Sequence, residues 1–263
     1  MKELLLLGGS HQASLISYLK DINGFKKPLK NSYHIKAVGC SDLDLVNNLK
    51  IDQNSNLILN QFQQLAQSCI EEYGIPYISY DPERIICLSI GSWHRAISDP
   101  IWQTHYPAEI EPDINQVTPI STYEVINRVY NNVFIRLSVI ISLLLSNKLN
   151  LFVVIAPPIP ITNEGSNLFI PIKTAKYINF LCYKMYTNAL KTLNIKYIDI
   201  VETVLDQNGY LKFEYCYRFA DSHGNNKYGS LVWKQILNLL DENNWNPESF
   251  HLNNSNYIKF SNN

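Results

Sequence analysis

Three side chains with the chemistry of acyl transfer lie far apart in the sequence. Ser10 follows the short apolar run Leu4–Leu7, whereas Asp221 and His223 stand near the other end in the segment FADSHGNNKYG. A serine hydroxyl becomes a nucleophile when a neighbouring imidazole takes its proton, and an acid must fix the imidazole's tautomer. The three residues are therefore a candidate catalytic set, while the simpler interpretation of Ser10 is a helix N-cap.

The elements predicted around these residues indicate how they could meet. Short apolar runs alternate with segments of helical periodicity, which predicts an α/β fold: a three-layer α/β/α sandwich with a mainly parallel, five-stranded sheet. The predicted strands are Leu4–Leu7, HIKAVG, RIICLSIG, LFVVIA and IKYIDI. Because the carboxyl ends of parallel strands share one edge, the loops carrying Ser10 and His223 should lie on the same side of the sheet.

Five helices are predicted between and after these strands. The first begins after Ser10, and the second covers residues 54–74. The third starts at the capping box of Ser121 and Glu124, the fourth covers about residues 174–193, and the fifth covers residues 225–242. The capping box predicts a helix start because its hydroxyl and carboxylate each accept a hydrogen bond from a backbone N–H.

The chain of 263 residues is long enough for one large core. We predict a single domain over residues 1–243 and a C-terminal tail over residues 244–263. Residues 92–120 contain two tryptophans and four prolines without a clear period. A loop of this length in a compact domain is usually functional, and its aromatic content favours an ordered lid.

The composition of the chain argues against some classes of function. With 22 basic and 23 acidic residues the net charge is −1, which argues against a nucleic-acid partner because phosphate binding needs a basic surface. The N-terminal apolar run is too short for a secretory signal, and the apolar stretch at residues 137–145 is too short for a membrane span. We expect a cytoplasmic protein. The five cysteines include no C-x-x-C pair, so we expect no metal.

Other motifs fit poorly. The segment GGSHQ lacks the last glycine of a G-x-S-x-G elbow, and neither a dinucleotide fingerprint nor a P-loop occurs, so no cofactor is predicted. His94 and His105 lack the spacing of a zinc site. His11, beside Ser10, is interpreted as a helix-start residue with local hydrogen bonds rather than as a base.

The order of the segments resembles the SGNH/GDSL hydrolases. In that family a nucleophilic serine follows the first strand, an oxyanion glycine the second and an oxyanion asparagine the third, and a D-x-x-H element precedes the last helix. Ser10 matches the first position, Gly39 in IKAVGCSD the second, Gly91 the glycine of the third, and His223 the histidine. VVIAPPIP resembles the strand and proline-rich loop that follow the third element.

Two positions depart from the family pattern. Trp93 stands where the oxyanion asparagine is expected, and Asp221 lies two residues before His223 rather than three. The resemblance therefore implies an oxyanion hole formed by the N–H groups of Ser10 and Gly39, with Trp93 or Ser92 as a further donor; His94 is another alternative to the asparagine.

The activity implied by the resemblance is hydrolysis of small acyl esters, such as O-acetyl groups on a carbohydrate or another small molecule. Ser10 would form the acyl-enzyme, His223 would act as base, and Asp221 would orient it. The alternatives are an acyltransferase that modifies a polysaccharide or glycan, and a non-catalytic binding protein on the same fold. The oligomeric state is left open.

Overall fold

The structure is a computed structural model of the chain. It describes residues 2–23, 33–39, 45, 49–54, 56–59, 71–72, 74–75, 77–90, 93–145, 150–157, 171–199, 202–207, 209–217 and 223–242. The elements, in chain order, are β1 (Lys2–Gly8), α1 (Ala13–Asn23), β2 (Tyr33–Gly39), β3 (Leu49–Ile51), β4 (Leu57–Leu59), β5 (Tyr77–Ile78), β6 (Ile85–Ser89), α2 (His94–Ile97), β7 (His105–Pro107), β8 (Thr118–Ile120), α3 (Thr122–Leu145), β9 (Asn150–Val154), α4 (Ile172–Thr192), β10 (Tyr197–Ile198) and α5 (Asn226–Glu242).

The central sheet confirms the predicted fold class. Five strands pair in the order β10-β9-β6-β1-β2, and every pairing is parallel. β6 and β9 are buried along their whole length, as expected for strands covered by helices on both faces. β1 lies between β6 and the edge strand β2, so the turn that follows β1 lies at the carboxyl edge, one strand in from the side of the sheet.

Alternating side chains of the central strands are buried in two hydrophobic cores, one on each face of the sheet. In β1, Leu4 and Leu6 pack with residues of α1 and α5, whereas Leu5 and Leu7 pack with residues of α3 and α4. The alternation follows from the two-residue period of a strand, which points neighbouring side chains to opposite faces. The helices therefore form two layers, α1 with α5 on one face and α3 with α4 on the other.

α1 and α5 approach each other closely. A Cβ atom at Gly229 would lie 2.2 Å from the backbone oxygen of Ser14, so only glycine allows the two helices to come this near. Four residues further along α5, the Trp233 indole N–H donates to the Leu15 carbonyl oxygen at 2.9 Å. Ser14 and Leu15 lie in the first turn of α1, and Gly229 and Trp233 are the fourth and eighth residues of α5, so the start of α1 lies beside the first half of α5.

One predicted helix is wrong at its beginning. Within the range 54–74, residues 57–59 form the strand β4, which pairs antiparallel with β3 and β5. Leu57 and Ile78 are buried in the core beneath α3 and α4. Strand pairing and this burial override the helical spacing of the leucines, a local signal that tertiary contacts often outweigh. Residues 60–70 of the predicted helix lie outside the described residues.

The other predicted helices are present, and the serine half of the predicted capping box is found at the start of α3. The Ser121 hydroxyl accepts a hydrogen bond from the Glu124 N–H at 3.4 Å, and the Ser121 carbonyl accepts one from the Val125 N–H at 3.0 Å. The first contact satisfies one of the free N–H groups at the helix start, and the second is the first regular hydrogen bond of the helix. The Glu124 carboxylate accepts from the Arg128 guanidinium at 3.0 Å.

The segment predicted as a lid is attached to the α4 layer by a buried glutamine. The Gln116 amide nitrogen donates to the carbonyl oxygens of Trp102 (2.7 Å) and His105 (2.6 Å), and the amide oxygen accepts from the Asp113 N–H (2.8 Å). The Gln116 side chain also hydrogen bonds to the Thr174 hydroxyl. Asp113 in turn accepts from the N–H groups of Lys173 and Thr174 at the start of α4. This network joins residues 102–116 to the start of α4.

No helix in the described part of the chain is long and apolar enough to cross a membrane.

Candidate active site

The turn after β1 is shaped by two glycines. A Cβ atom at Gly8 would lie 2.2 Å from the Ser89 oxygen, so this position admits only glycine beside β6. The Gly9 N–H donates to the same Ser89 oxygen at 3.0 Å, and the Gln12 N–H donates to the Gly9 oxygen at 3.1 Å. The chain therefore turns immediately into a 3₁₀ turn, Ser10–Gln12, that leads into α1. Ser10 begins this turn at the carboxyl edge of the sheet.

The second predicted element, Gly39, lies next to the same turn. Gly39 is paired with Gly8 across the parallel strands β1 and β2. The Gln12 amide nitrogen donates to the Val38 oxygen at 3.2 Å, and a Cβ atom at Gly39 would lie 2.8 Å from that nitrogen. Gln12, a buried residue that the sequence interpretation did not single out, thus joins the 3₁₀ turn to the end of β2.

The backbone around His223 is held by hydrogen bonds with residues 216 and 217. Cys216 and Gly224 form an antiparallel bridge, and the Tyr217 N–H donates to the His223 oxygen at 2.8 Å. The Asn225 side chain caps α5 by accepting from the N–H groups at the start of the helix, and its amide nitrogen donates to the Cys216 oxygen at 3.0 Å. Asparagine before a helix is an N-cap signal that was present in the sequence.

Two parts of the chain that are far apart in sequence meet through a pair of histidines. The His11 and His223 rings are stacked, with 4.9 Å between their centroids and 25° between their planes. His11 lies in the turn before α1 and His223 in the loop before α5. Because Gly229 and Trp233 hold the starts of these helices together, the residues just before them are also neighbours. His223 therefore lies beside the turn that contains Ser10.

Trp93 occupies the hydrophobic core. Its side chain is 3% exposed, its ring makes an edge contact with Tyr186 at 5.1 Å, and the Arg136 guanidinium lies 5.4 Å from the ring centre. The Tyr186 hydroxyl donates to the Ile90 oxygen at 3.4 Å. These contacts anchor the indole between β6 and the α3–α4 layer, an environment typical of a packing residue.

The buried Tyr228 packs beside the residue that follows His223. The Tyr228 ring lies against Gly224, where a Cβ atom would be 2.3 Å from the ring. Burial, and secondarily the Asp199 carboxylate, raise the pKa of Tyr228. Its hydroxyl is therefore neutral at ordinary pH, and the residue acts here as a hydrophobic support.

Several predicted site residues lie outside the described residues: Asp221, Ser92, Gly91, and the side chains of Ser10 and His94. Of the predicted set, Gly39 is paired with Gly8 next to the turn that begins at Ser10, and His223 is stacked on His11 of the same turn. His11 is the neighbour of His223 that sequence reasoning placed in a local role. Its closeness to Ser10 in the sequence was visible, but its contact with His223 depends on the packing of α1 against α5.

Among the described residues, no group of three or more histidine, cysteine, aspartate or glutamate side chains is arranged to hold a metal ion.

Comparison with known proteins finds similarity in structure. No family model matches the chain, and no curated protein matches it in sequence. A candidate acylhydrolase from Bacteroides fragilis is 13% identical, with 92% of this chain and 86% of that chain covered and a TM-score of 0.46. A GDSL-like lipase from Bacteroides thetaiotaomicron is 10% identical, with 93% of this chain and 89% of that chain covered and a TM-score of 0.43. A carbohydrate acetylesterase family member from Sinorhizobium meliloti is 11% identical, with 91% of this chain and 97% of that chain covered and a TM-score of 0.44.

Proposed function

We propose that the protein is a serine-dependent ester hydrolase that acts through an acyl-enzyme on Ser10. In the first step the Ser10 oxygen bonds to the ester carbonyl carbon while His223 takes the hydroxyl proton. The bond to the alcohol then breaks, and His223 returns the proton to the leaving oxygen. Water repeats the sequence on the acyl-enzyme and releases the acid.

The observation that carries this proposal is the stacking of His11 on His223. It supports a base beside Ser10 because His11 is the next residue in the same 3₁₀ turn. A general base must come within hydrogen-bond reach of the proton that it takes. Asp221, two residues before His223, is the acid that we assign to orient the imidazole.

We assign the backbone N–H groups of Ser10 and Gly39 to the oxyanion hole. The pairing of Gly39 with Gly8 and the packing of Gln12 against Gly39 support this assignment, because they keep the ends of β1 and β2 adjacent. The burial of Trp93 argues against its indole as a third donor. An oxyanion donor is typically worth about 3–4 kcal/mol of barrier, so a hole without the family's asparagine should give slow but measurable turnover.

The substrate class that we propose is a small acyl ester, with O-acetyl groups on carbohydrate as the leading case. The resemblance of the sequence to SGNH/GDSL hydrolases supports this class. The acyl-enzyme could also pass its acyl group to a sugar hydroxyl instead of water, in which case the protein would be an acyltransferase.

The proposal is tested by labelling the purified protein with a fluorophosphonate and by measuring hydrolysis of a short-chain aryl ester. We expect an adduct on Ser10 in the wild type, no adduct in Ser10→Ala, and a loss of nearly all turnover in Ser10→Ala and His223→Ala. Ser230→Ala is the matched control, since Ser230 lies in the first turns of α5 and its hydroxyl donates only within that helix in the structure. A wild-type protein that forms no adduct at high probe concentration favours the binding-protein alternative.

A second measurement separates hydrolase from transferase. The protein is incubated with an acetyl ester, with and without sugar acceptors, and free acetate and acetylated sugar are quantified. Free acetate in both samples supports hydrolysis, whereas acetylated sugar formed at the expense of acetate supports transfer.

A further inference from the structure

His11 differs from the other histidines of the described chain in its burial and in its partner. It is 9% exposed, and its ring lies face to face with that of His223. His34, by contrast, is exposed on β2, and the His105 ring contacts the hydroxyl of its own neighbour Thr104. His11 is therefore the described histidine that contacts the proposed catalytic base.

The turn makes His11 a firm support. The Ser14 hydroxyl donates to the His11 carbonyl oxygen at 3.1 Å, and the Gln12 side chain is hydrogen bonded to the end of β2. On the other side, Gly9 is hydrogen bonded to β6. The backbone on either side of His11 is thus tied to β6 and to β2, which fixes the position from which its ring reaches His223.

A stacked ring restrains an imidazole differently from a carboxylate. A carboxylate binds one ring nitrogen in the plane of the ring and fixes the tautomer. A neighbouring ring contacts the face and opposes rotation of the imidazole out of its plane. Asp221 is one residue nearer to His223 in the sequence than the family pattern has it. Because this spacing changes how the carboxylate can reach the ring nitrogen, a contact with the face of the His223 ring becomes more important.

We propose that His11 is a positioning residue that holds the plane of the His223 imidazole by stacking. The proposal rests on the proposed function, because it assumes that His223 is the base. His11 does not exchange protons with the substrate. Its contribution is to keep the His223 ring aimed at the Ser10 hydroxyl.

The test compares three substitutions of His11 with wild type in aryl-ester hydrolysis, with kcat and KM measured separately at about pH 8, where an ordinary histidine is neutral. His11→Phe keeps an aromatic ring that cannot accept a proton, His11→Leu fills space without a ring, and His11→Ala removes both. We expect kcat to fall about 3- to 10-fold in the leucine and alanine variants, the size expected for loss of one aromatic contact, with little change in KM. The phenylalanine variant should retain most of the wild-type kcat.

Two results would overturn the proposal. If His11→Phe loses as much activity as His223→Ala, His11 itself transfers the proton. If the leucine and phenylalanine variants have the same kcat, the ring face has no role. His34→Ala is the control for removal of an imidazole. Thermal melting identifies any variant that is poorly folded. If His11→Ala is poorly folded, the comparison of His11→Phe with His11→Leu tests the proposal.

Failure of the proposed function gives a different pattern. Wild-type activity in Ser10→Ala removes the serine mechanism, whatever the His11 variants do. An inactive Ser10→Ala together with fully active His11→Leu and His11→Ala removes only the positioning role.

Discussion

The two faces of the central sheet are packed in different ways. On one face α1 and α5 touch backbone to backbone at Gly229 and are joined by the Trp233 indole. On the other face α3 and α4 pack through large side chains, and the Gln116 network fastens residues 93–120 to them. Ser10, His11 and His223 all precede helices of the first layer.

This difference explains where the candidate site lies. Two residues from distant parts of a chain can be held at a fixed distance only if the elements that carry them have little room to shift. A contact between glycine and backbone leaves less room than a contact between flexible side chains. The α1–α5 layer therefore controls the geometry of the histidines, and the larger of the two hydrophobic clusters lies on the α3–α4 side.

The largest effect is expected from Gly229→Ala. Its new methyl group would lie 2.2 Å from the Ser14 oxygen, so α1 and α5 must separate, which should lower the free energy of unfolding by about 3 kcal/mol. Because the separation moves His223 away from the turn with Ser10, kcat/KM should fall at least about tenfold. Urea unfolding and aryl-ester kinetics measure the two effects.

The control for Gly229→Ala is Gly209→Asn. Gly209 has a φ of 83° and nothing within 4 Å of an added Cβ, and asparagine tolerates this conformation. Unchanged activity in Gly229→Ala would show that the separation of α1 from α5 does not control the site.

A smaller loss of stability is expected from Gln116→Ala on the other face. The substitution leaves the buried Thr174 hydroxyl and the Trp102 carbonyl without their partner, which should cost about 2–3 kcal/mol. We expect kcat on the aryl ester to stay within about threefold of wild type, since the network joins residues 102–116 to α4, on the face of the sheet opposite to α1 and α5. Chemical denaturation and ester kinetics test this, with the exposed Gln103→Ala as control. A collapse of kcat in the folded variant would make the 93–120 segment part of the site.

Two tryptophans allow a matched comparison of the faces. Trp233 donates to the Leu15 oxygen at 2.9 Å, and Trp102 donates to the Ala96 oxygen at 2.8 Å; each is 1% exposed. Replacement by phenylalanine removes one hydrogen bond in each case and should cost about 1–2 kcal/mol of stability. Only Trp233→Phe should reduce ester hydrolysis. Equal kcat values for the two variants would remove the distinction between the faces.

The last effect is absent at neutral pH and concerns two buried thiols, one in each core. Burial raises the pKa of Cys182 to about 12 and also raises that of Cys87, both from 9.0. A thiol that stays neutral when folded but ionises when unfolded stabilises the fold below pH 9.0 and loses this contribution as the pH rises. Unfolding free energy should therefore fall by about 1.4 kcal/mol per pH unit for each thiol above this value.

The measurement is urea unfolding between pH 8 and 11, roughly spanning the thiol's ordinary pKa, for wild type, Cys87→Ala and Cys182→Ala. Each substitution should make the decline less steep by a similar amount. A change in only one variant would show that water reaches the thiol of the other face.

Much of the fold could be predicted because its signals are local. The apolar runs at β1, β6 and β9, the capping box at Ser121 and the periodicity of α3–α5 each lie within a short stretch of sequence. The parallel arrangement then placed Ser10, Gly39 and His223 near one edge. The strand at residues 57–59 was missed because its partners, residues 49–51 and 77–78, are supplied by other parts of the chain.

The sequence by itself determined the alternation of strands and helices and the edge at which chemistry could occur, since periodicity and the handedness of parallel connections depend little on detail. Only the tertiary structure decided that His11 faces His223 and that Trp93 lies in the core. Such contacts depend on how closely two helices pack, and the deciding atoms, at Gly229 and Ser14, belong to residues that nothing in the local sequence pairs with each other.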